Sequence, residues 1–127
     1  MKSPIKPPVS QFCWIDGKLW LSGIIGSAVI ENEIQVVHGG LKAEFDQAIA
    51  LIKPILGSQN LDLSNVRRVM VYLADMSDYD EMNRLYAGYF SEPYPIRTCV
   101  QAAKLPYAAA IELEVIATKE KRQAYSK

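Results

Sequence analysis

The chain has 127 residues, half of them apolar, with 14 basic and 14 acidic side chains that balance to a formal net charge of zero. At this length roughly two-thirds of the unfolded surface can be buried, enough for one globular domain with its own core, so composition excludes a disordered chain. The neutral balance also disfavours a protein whose main task is gripping phosphate backbones, which calls for a basic face.

The N-terminus, Met1 to Pro8, carries prolines at 4, 7 and 8 where a cleavable signal needs an apolar run, so no export signal is expected. The longest uncharged stretch, Leu19 to Ile30, is 12 residues, short of the roughly 20 that a membrane-spanning helix requires. Cys13 and Cys99 make no disulfide framework and read as reduced thiols of a cytoplasmic protein.

Gln11–Ile15 and Lys18–Ser22 are runs of β-formers separated by Asp16-Gly17, the signature of a tight hairpin. Glu33–Val37 reads as a further short strand before His38-Gly39-Gly40 breaks the chain. From Leu41 the period changes. Leu41, Phe45, Ala48, Ile49, Ile52 and Leu56 form one face of a helix, with Lys42, Glu44, Asp46, Gln47 and Lys53 on the other. Pro54 is expected to kink its last turn and Gly57 to end it.

Val66–Leu73 is a strand, with Val69, Val71 and Leu73 on one face and Arg68, Met70 and Tyr72 on the other. A second helix follows, with Ser77 as its predicted N-cap and Tyr79, Met82, Leu85, Tyr86, Tyr89 and Phe90 as its buried stripe. Pro93 and Pro95 lead into a strand from Ile96 to Ala102; Leu105-Pro106 is a loop, and Ile111–Ala117 is the last strand. The tail from Lys119 to Lys127 reads as a solvated end.

This order, β-β-(β)-α-β-α-β-β, predicts an α+β domain spanning residues 1–127, with two helices on one face of a mixed sheet. If the aliphatic alternates Ile96, Thr98, Val100 and Ile111, Leu113, Val115 pack under the helices, Arg97, Cys99, Gln101, Glu112 and Glu114 point away, beside Met70, Tyr72 and Trp20. A face that mixes large apolar groups with charges is a poor solvent surface, so a second subunit is expected to cover it.

Phosphate-loop, dinucleotide-binding and zinc-protease motifs are absent; one histidine and two distant cysteines offer no zinc spacing, and no cofactor is implied. His38 reads as a loop residue without an identifiable partner to make it a general base. Arg97 carries the most information. A charge inside a strand needs a partner, and its planar fork fits either a structural Asp or Glu or the carboxylate of a ligand. Cys99, two residues on, is either a thiol activated by that guanidinium or a small group lining a pocket. Glu112 and Glu114 are open to the reading of structural partners for Arg68 or Arg97.

The run Val71-Tyr72-Leu73-Ala74-Asp75-Met76, then Met82-Asn83 and Tyr86, then Pro95-Ile96-Arg97-Thr98-Cys99-Val100, Leu105-Pro106 and Ile111-Glu112-Leu113-Glu114-Val115-Ile116-Ala117 resembles the RidA/YjgF family of reactive-intermediate deaminases. The likeness spans about Gln11 to Ala117. It implies a chorismate-mutase-like α+β fold and a homotrimer whose sheets form a central barrel, with three clefts between subunits. It implies that Arg97 holds a substrate carboxylate, that Glu112 positions the attacking water, and that Ser22, Gly23, Asn83 and Cys99 belong to the cleft. Two positions depart from the family pattern: Val9 stands where deaminase-active relatives typically carry tyrosine, and Ile24 where they carry glutamine.

Three functions follow as expectations. The first is hydrolysis of 2-imino acids such as the tautomer of 2-aminoacrylate, which needs only an oriented carboxylate and water and hence no cofactor. The second is a non-catalytic trimer that binds small carboxylates as a regulator. The third, an endoribonuclease or translation inhibitor, fits worst with a neutral chain that shows no paired acid and base. Small 2-imino or 2-oxo acids are therefore the expected partners, with neither membrane nor nucleic acid.

Overall fold

The structure, a computed structural model, describes residues 6–123; Pro4 of the N-terminal reading and the last four residues of the predicted tail lie outside them. Asp16 and Gly17 turn the chain at φ of 49° and 75°, the backbone that matches a two-residue hairpin to the twist of its strands. β1 (Phe12–Ile15) and β2 (Lys18–Leu21) flank that turn as predicted. Beyond Ser22 the structure holds more than the pattern suggested. β3 (Ile24–Ile25) is a short strand, and β4 (Ser27–Ile30) and β5 (Glu33–Val36) form a separate hairpin. Its turn, Glu31-Asn32, has both residues at positive φ, a conformation for which glutamate carries no signal.

α1 (Gly40–Ser58) continues past Pro54 to Ser58. The carbonyl that Pro54 leaves unpaired belongs to Ala50, and both residues are exposed, so water can satisfy it. β6 (Val66–Leu73), α2 (Tyr79–Tyr89), β7 (Ile96–Gln101) and β8 (Ile111–Thr118) follow. The strand order is β1-β2-β8-β6-β7, with β3 also on β8; β6 and β7 are parallel and the other pairs antiparallel. Phe45, Ile49, Ile52 and Leu56 of α1 and Met82 and Tyr86 of α2 join Leu19, Val69, Val71, Leu113 and Val115 in one core. The fold is thus α+β, a mixed sheet with both helices on one face. Among the described residues no helix is long and apolar enough to cross a membrane.

Four local expectations are corrected. Asp75, not Ser77, caps the turn before α2: its side chain accepts a hydrogen bond from the Ser77 N–H at 2.9 Å and heads a short 3-10 turn, so the helix starts at Tyr79. The described part of the tail is tied down. Arg122 donates to the carbonyls of Leu63 (2.6 Å), Val66 (3.0 Å) and Pro93 (2.5 Å), closing the tail over the start of β6 and the lead-in to β7. Glu44 is not on the polar face of α1 but buried, because its side chain accepts from the Ala110 N–H at 2.7 Å.

The fourth correction moves the central residue. β7 runs parallel to β6 in a register that pairs Val69 with Arg97 and Val71 with Cys99. Val69 and Val71 are fully buried beneath the helices, so Arg97 and Cys99 share the helix-covered face, and Ile96, Thr98 and Val100 stand on the open one. β7 is an edge strand, at the margin of the core, so alternation in its own residues does not reveal which side is inward; its register with β6 does.

Candidate functional site

β8 buries Ile111, Leu113 and Val115, which turns Glu112 and Glu114 to the open face. There Tyr72 lies opposite Glu112 and its hydroxyl donates to Glu114 Oε1 at 3.0 Å. Glu112 packs against Gly23 so closely that a Cβ at that position would come 2.0 Å from Glu112 Oε2. A larger residue there would push the carboxylate out of this position. Burial, and then the neighbouring Glu114, raise the Glu112 carboxyl above its ordinary pKa. Glu112, Ser22, Gly23, Ile24, Val9 and Pro106 help line a cleft of about 650 Å³. An adjoining hollow of about 350 Å³ shares Gly23, Pro106 and Glu112 and adds Tyr72, Lys104 and Glu114.

Arg97 lies on the other side of the sheet. Its guanidinium carbon is 4.8 Å from the Tyr86 ring centre and 5.8 Å from that of Tyr79, its Nη2 donates to the Tyr79 hydroxyl at 3.3 Å, and its Nη1 is 3.7 Å from Met82 Sδ. Two aromatic faces and a thioether hold the cation without neutralising it. The ion pairs among the described residues are Lys42–Asp46 and Lys121–Asp62, so no structural carboxylate answers Arg97. The Tyr86 hydroxyl is buried with no hydrogen-bond partner, and burial pushes its pKa up to about 12.

The remaining candidates separate. Ser22 and Gly23 are in the Glu112 cleft. Cys99 lines a different hollow with Met76, Ser77, Tyr79 and Asp80, and burial raises its thiol pKa more than Arg97 lowers it, so the guanidinium does not make it a ready thiolate. Asn83 is half-buried on α2, one turn beyond Tyr79, and lines none of these three hollows. His38 is exposed ahead of α1. Among the described residues no group of three or more His, Cys, Asp or Glu side chains is gathered as a metal would require.

Sequence reasoning took Tyr79 and Tyr86 for core, and Tyr86 is part of it. Tyr79 is exposed and both serve Arg97; the available signal was a helical stripe with more hydroxyl-bearing rings than a dry core tolerates. It also passed over Glu44. Burial raises that carboxyl's pKa against the lowering effect of hydrogen bonds from the Ala110 and Ile111 N–H groups. The bond from Ala110 anchors the segment that enters β8 immediately before Glu112.

Residues 3–119 match the family model described as endoribonuclease L-PSP. The chain belongs to this family, the RidA/YjgF proteins that its motifs resemble. Within the family it is 36% identical over 110 residues to human 2-iminobutanoate/2-iminopropanoate deaminase, covering 87% of this chain and 79% of that protein. It is 42% identical over 113 residues to a RutC family protein of Pyrococcus horikoshii, covering 89% and 88%. The crystal structure of yeast Mmf1 superposes with a TM-score of 0.81 at 33% identity, over 93% of this chain and 92% of that one. This RidA-family fold therefore carries its two candidate charges, Arg97 and Glu112, on opposite faces of one sheet.

Proposed function

We propose that this protein hydrolyses reactive 2-imino acids, tautomers of enamines such as 2-aminoacrylate, to 2-oxo acids and ammonia, in a cleft completed by a second copy of the chain within a homotrimer. The observation that carries the reading is Arg97, a partly buried cation cradled by Tyr79, Tyr86 and Met82 with no carboxylate of its own among the described residues. Such a fork is ready to take a ligand's carboxylate in two parallel hydrogen bonds. The naming of the human relative as an imine deaminase supports the same chemistry.

In the proposed reaction, Arg97 of one copy fixes the substrate carboxylate while Glu112 of another holds a water against C2 of the C=N group. The water oxygen bonds to C2 and the C=N π pair moves to nitrogen. Both protons of the added water pass in turn through the Glu112 carboxylate to that nitrogen: the first transfer gives the carbinolamine, and with the second, taken from its hydroxyl, the C–N bond breaks and ammonia leaves as C2 becomes a carbonyl. Glu112 suits the proton-carrying role because its raised pKa brings it nearer to neutrality than an ordinary glutamate. The imine carbon is already electrophilic, so the protein contributes mainly orientation. A neutral chain whose lone histidine is exposed gives the endoribonuclease description no comparable support.

The test is to generate 2-aminoacrylate with a serine dehydratase and follow pyruvate release. Wild-type protein is expected to accelerate release, and Arg97→Ala to lose roughly two orders of magnitude in kcat/KM, the scale of a lost charge-assisted bidentate contact. Background rates for both proteins would contradict the proposal. Tight 2-oxo acid binding by the same inactive wild type would favour the regulatory reading instead, consistent with the apolar Val9 and Ile24 in the cleft.

A further inference from the structure

The cleft beside Glu112 is much larger than 2-aminoacrylate needs. Its volume of about 650 Å³ falls in the range of pockets that enclose drug-sized ligands. Its walls come from several elements: Ile24 from β3, Ile34 from β5, Leu51 and Ile55 from α1, and Pro106 from the turn before β8. The charged groups among its lining residues are Lys6 and Glu112. The adjoining hollow is of opposite character, with Tyr72, Lys104 and Glu114 around the same Glu112. Glu112 thus stands where an apolar chamber meets a polar one.

We infer that this cleft selects 2-imino acids with bulky, uncharged side chains, branched aliphatic or aromatic, over 2-aminoacrylate; the inference rests on the deaminase reading and adds its substrate class. With C2 at Glu112, the apolar chamber lies where a side chain can extend, and burying that chain against Ile24, Ile34 and Leu51 removes apolar surface of both from water. A small side chain leaves those walls wet. A charged one loses its hydration to a chamber with no partner along its aliphatic walls.

Backbone packing beside the lining residues Ile25 and Ser27 sets part of the chamber's shape. A Cβ on Gly26 would meet the Glu44 carbonyl oxygen at 2.3 Å, so the chain beyond β3 lies directly against the α1 backbone. Tyr107, which lines the chamber, and its neighbour Ala108 take φ of 58° and 56°, with Glu44 accepting from the Ala110 N–H just beyond them. A preformed chamber discriminates by fit.

Two measurements test this separately from turnover. An amino acid oxidase acting on leucine, phenylalanine and alanine supplies the corresponding imines, and the fall in semicarbazone formation in the presence of the protein reports their hydrolysis. The leucine- and phenylalanine-derived imines are expected to show kcat/KM at least about tenfold above the alanine-derived one, and Ile24→Gln to reduce that ratio at least about threefold. Calorimetric titration of wild-type protein with pyruvate, 4-methyl-2-oxopentanoate and phenylpyruvate is expected to give the same order of affinity. If no imine is turned over but the bulky acids still bind at least about tenfold tighter than pyruvate, the size selection stands and the deaminase reading falls. Equal affinities, a preference for pyruvate, or no binding of any of the three overturns the inference.

Discussion

The two faces of the sheet use similar residues to different ends. Under the helices, Val69, Val71, Leu113 and Val115 are exposed by 2% or less, whereas on the open face Trp20, Ile96 and Val100 keep 40%, 55% and 40% of their surface in water. The covered face is complete within one chain; the open face carries large apolar groups around Glu112, Glu114 and Tyr72 with nothing among the described residues to bury them. The two candidate charges divide along the same line, Arg97 lying on the covered side against α2 and Glu112 on the open side against Gly23. A face left unfinished by the fold, with half of the proposed reactive pair on it, is what a chain built to meet its own copies would show.

Substitutions should expose this asymmetry, most strongly in the core. Phe45 is fully buried, and Phe45→Ala is expected to cost about 3–5 kcal/mol of unfolding free energy. Trp20→Ser on the open face is expected to change the stability of the isolated chain by no more than about 0.5 kcal/mol and to weaken association instead. Denaturant unfolding at high and low protein concentration separates the two, because only a change in association makes the midpoint depend on concentration. A large, concentration-independent loss for Trp20→Ser would erase the distinction between the faces.

A smaller effect is expected from pH. The Glu112 pKa is raised in the folded protein, so the native state binds more protons than the unfolded one between the ordinary glutamate pKa and the raised value, and stability falls as pH climbs through that window. Glu112→Gln removes the titration. Relative to wild type it should gain stability as pH rises through the window and show no such gain below the ordinary glutamate value. Parallel pH profiles would mean that the carboxylate is not desolvated against Gly23.

Much of the architecture was legible because local chemistry and global fold agree. Asp16-Gly17 announced the first hairpin, the period of Leu41, Phe45, Ala48 and Ile52 announced α1, and the alternation in β6 and β8 sorted core from surface. Legibility stopped where a partner far along the chain decides the outcome. Glu44 sits one turn from both Leu41 and Ala48 on the buried stripe, but its charge made it read as solvent-facing until Ala110 supplied the compensating N–H. β7 alternates cleanly, yet its inward side is set by its register with β6, which its own residues do not encode. Arg97 and Glu112 could therefore be singled out from sequence while their placement on opposite faces of the sheet could not.

The central claim is that one working site needs Arg97 from one copy and Glu112 from another, and co-expression tests it directly. Arg97→Ala and Glu112→Ala chains, each expected to be inactive alone, are co-expressed in equal amounts and assayed for 2-aminoacrylate hydrolysis. In a closed ring of randomly mixed subunits about one interface in four pairs an intact Arg97 with an intact Glu112, so roughly a quarter of the wild-type activity should return. If both charges served the same site from a single chain, every site in the mixture would lack one of them. The mixture would then stay at background, and the account of a site shared between copies would be wrong.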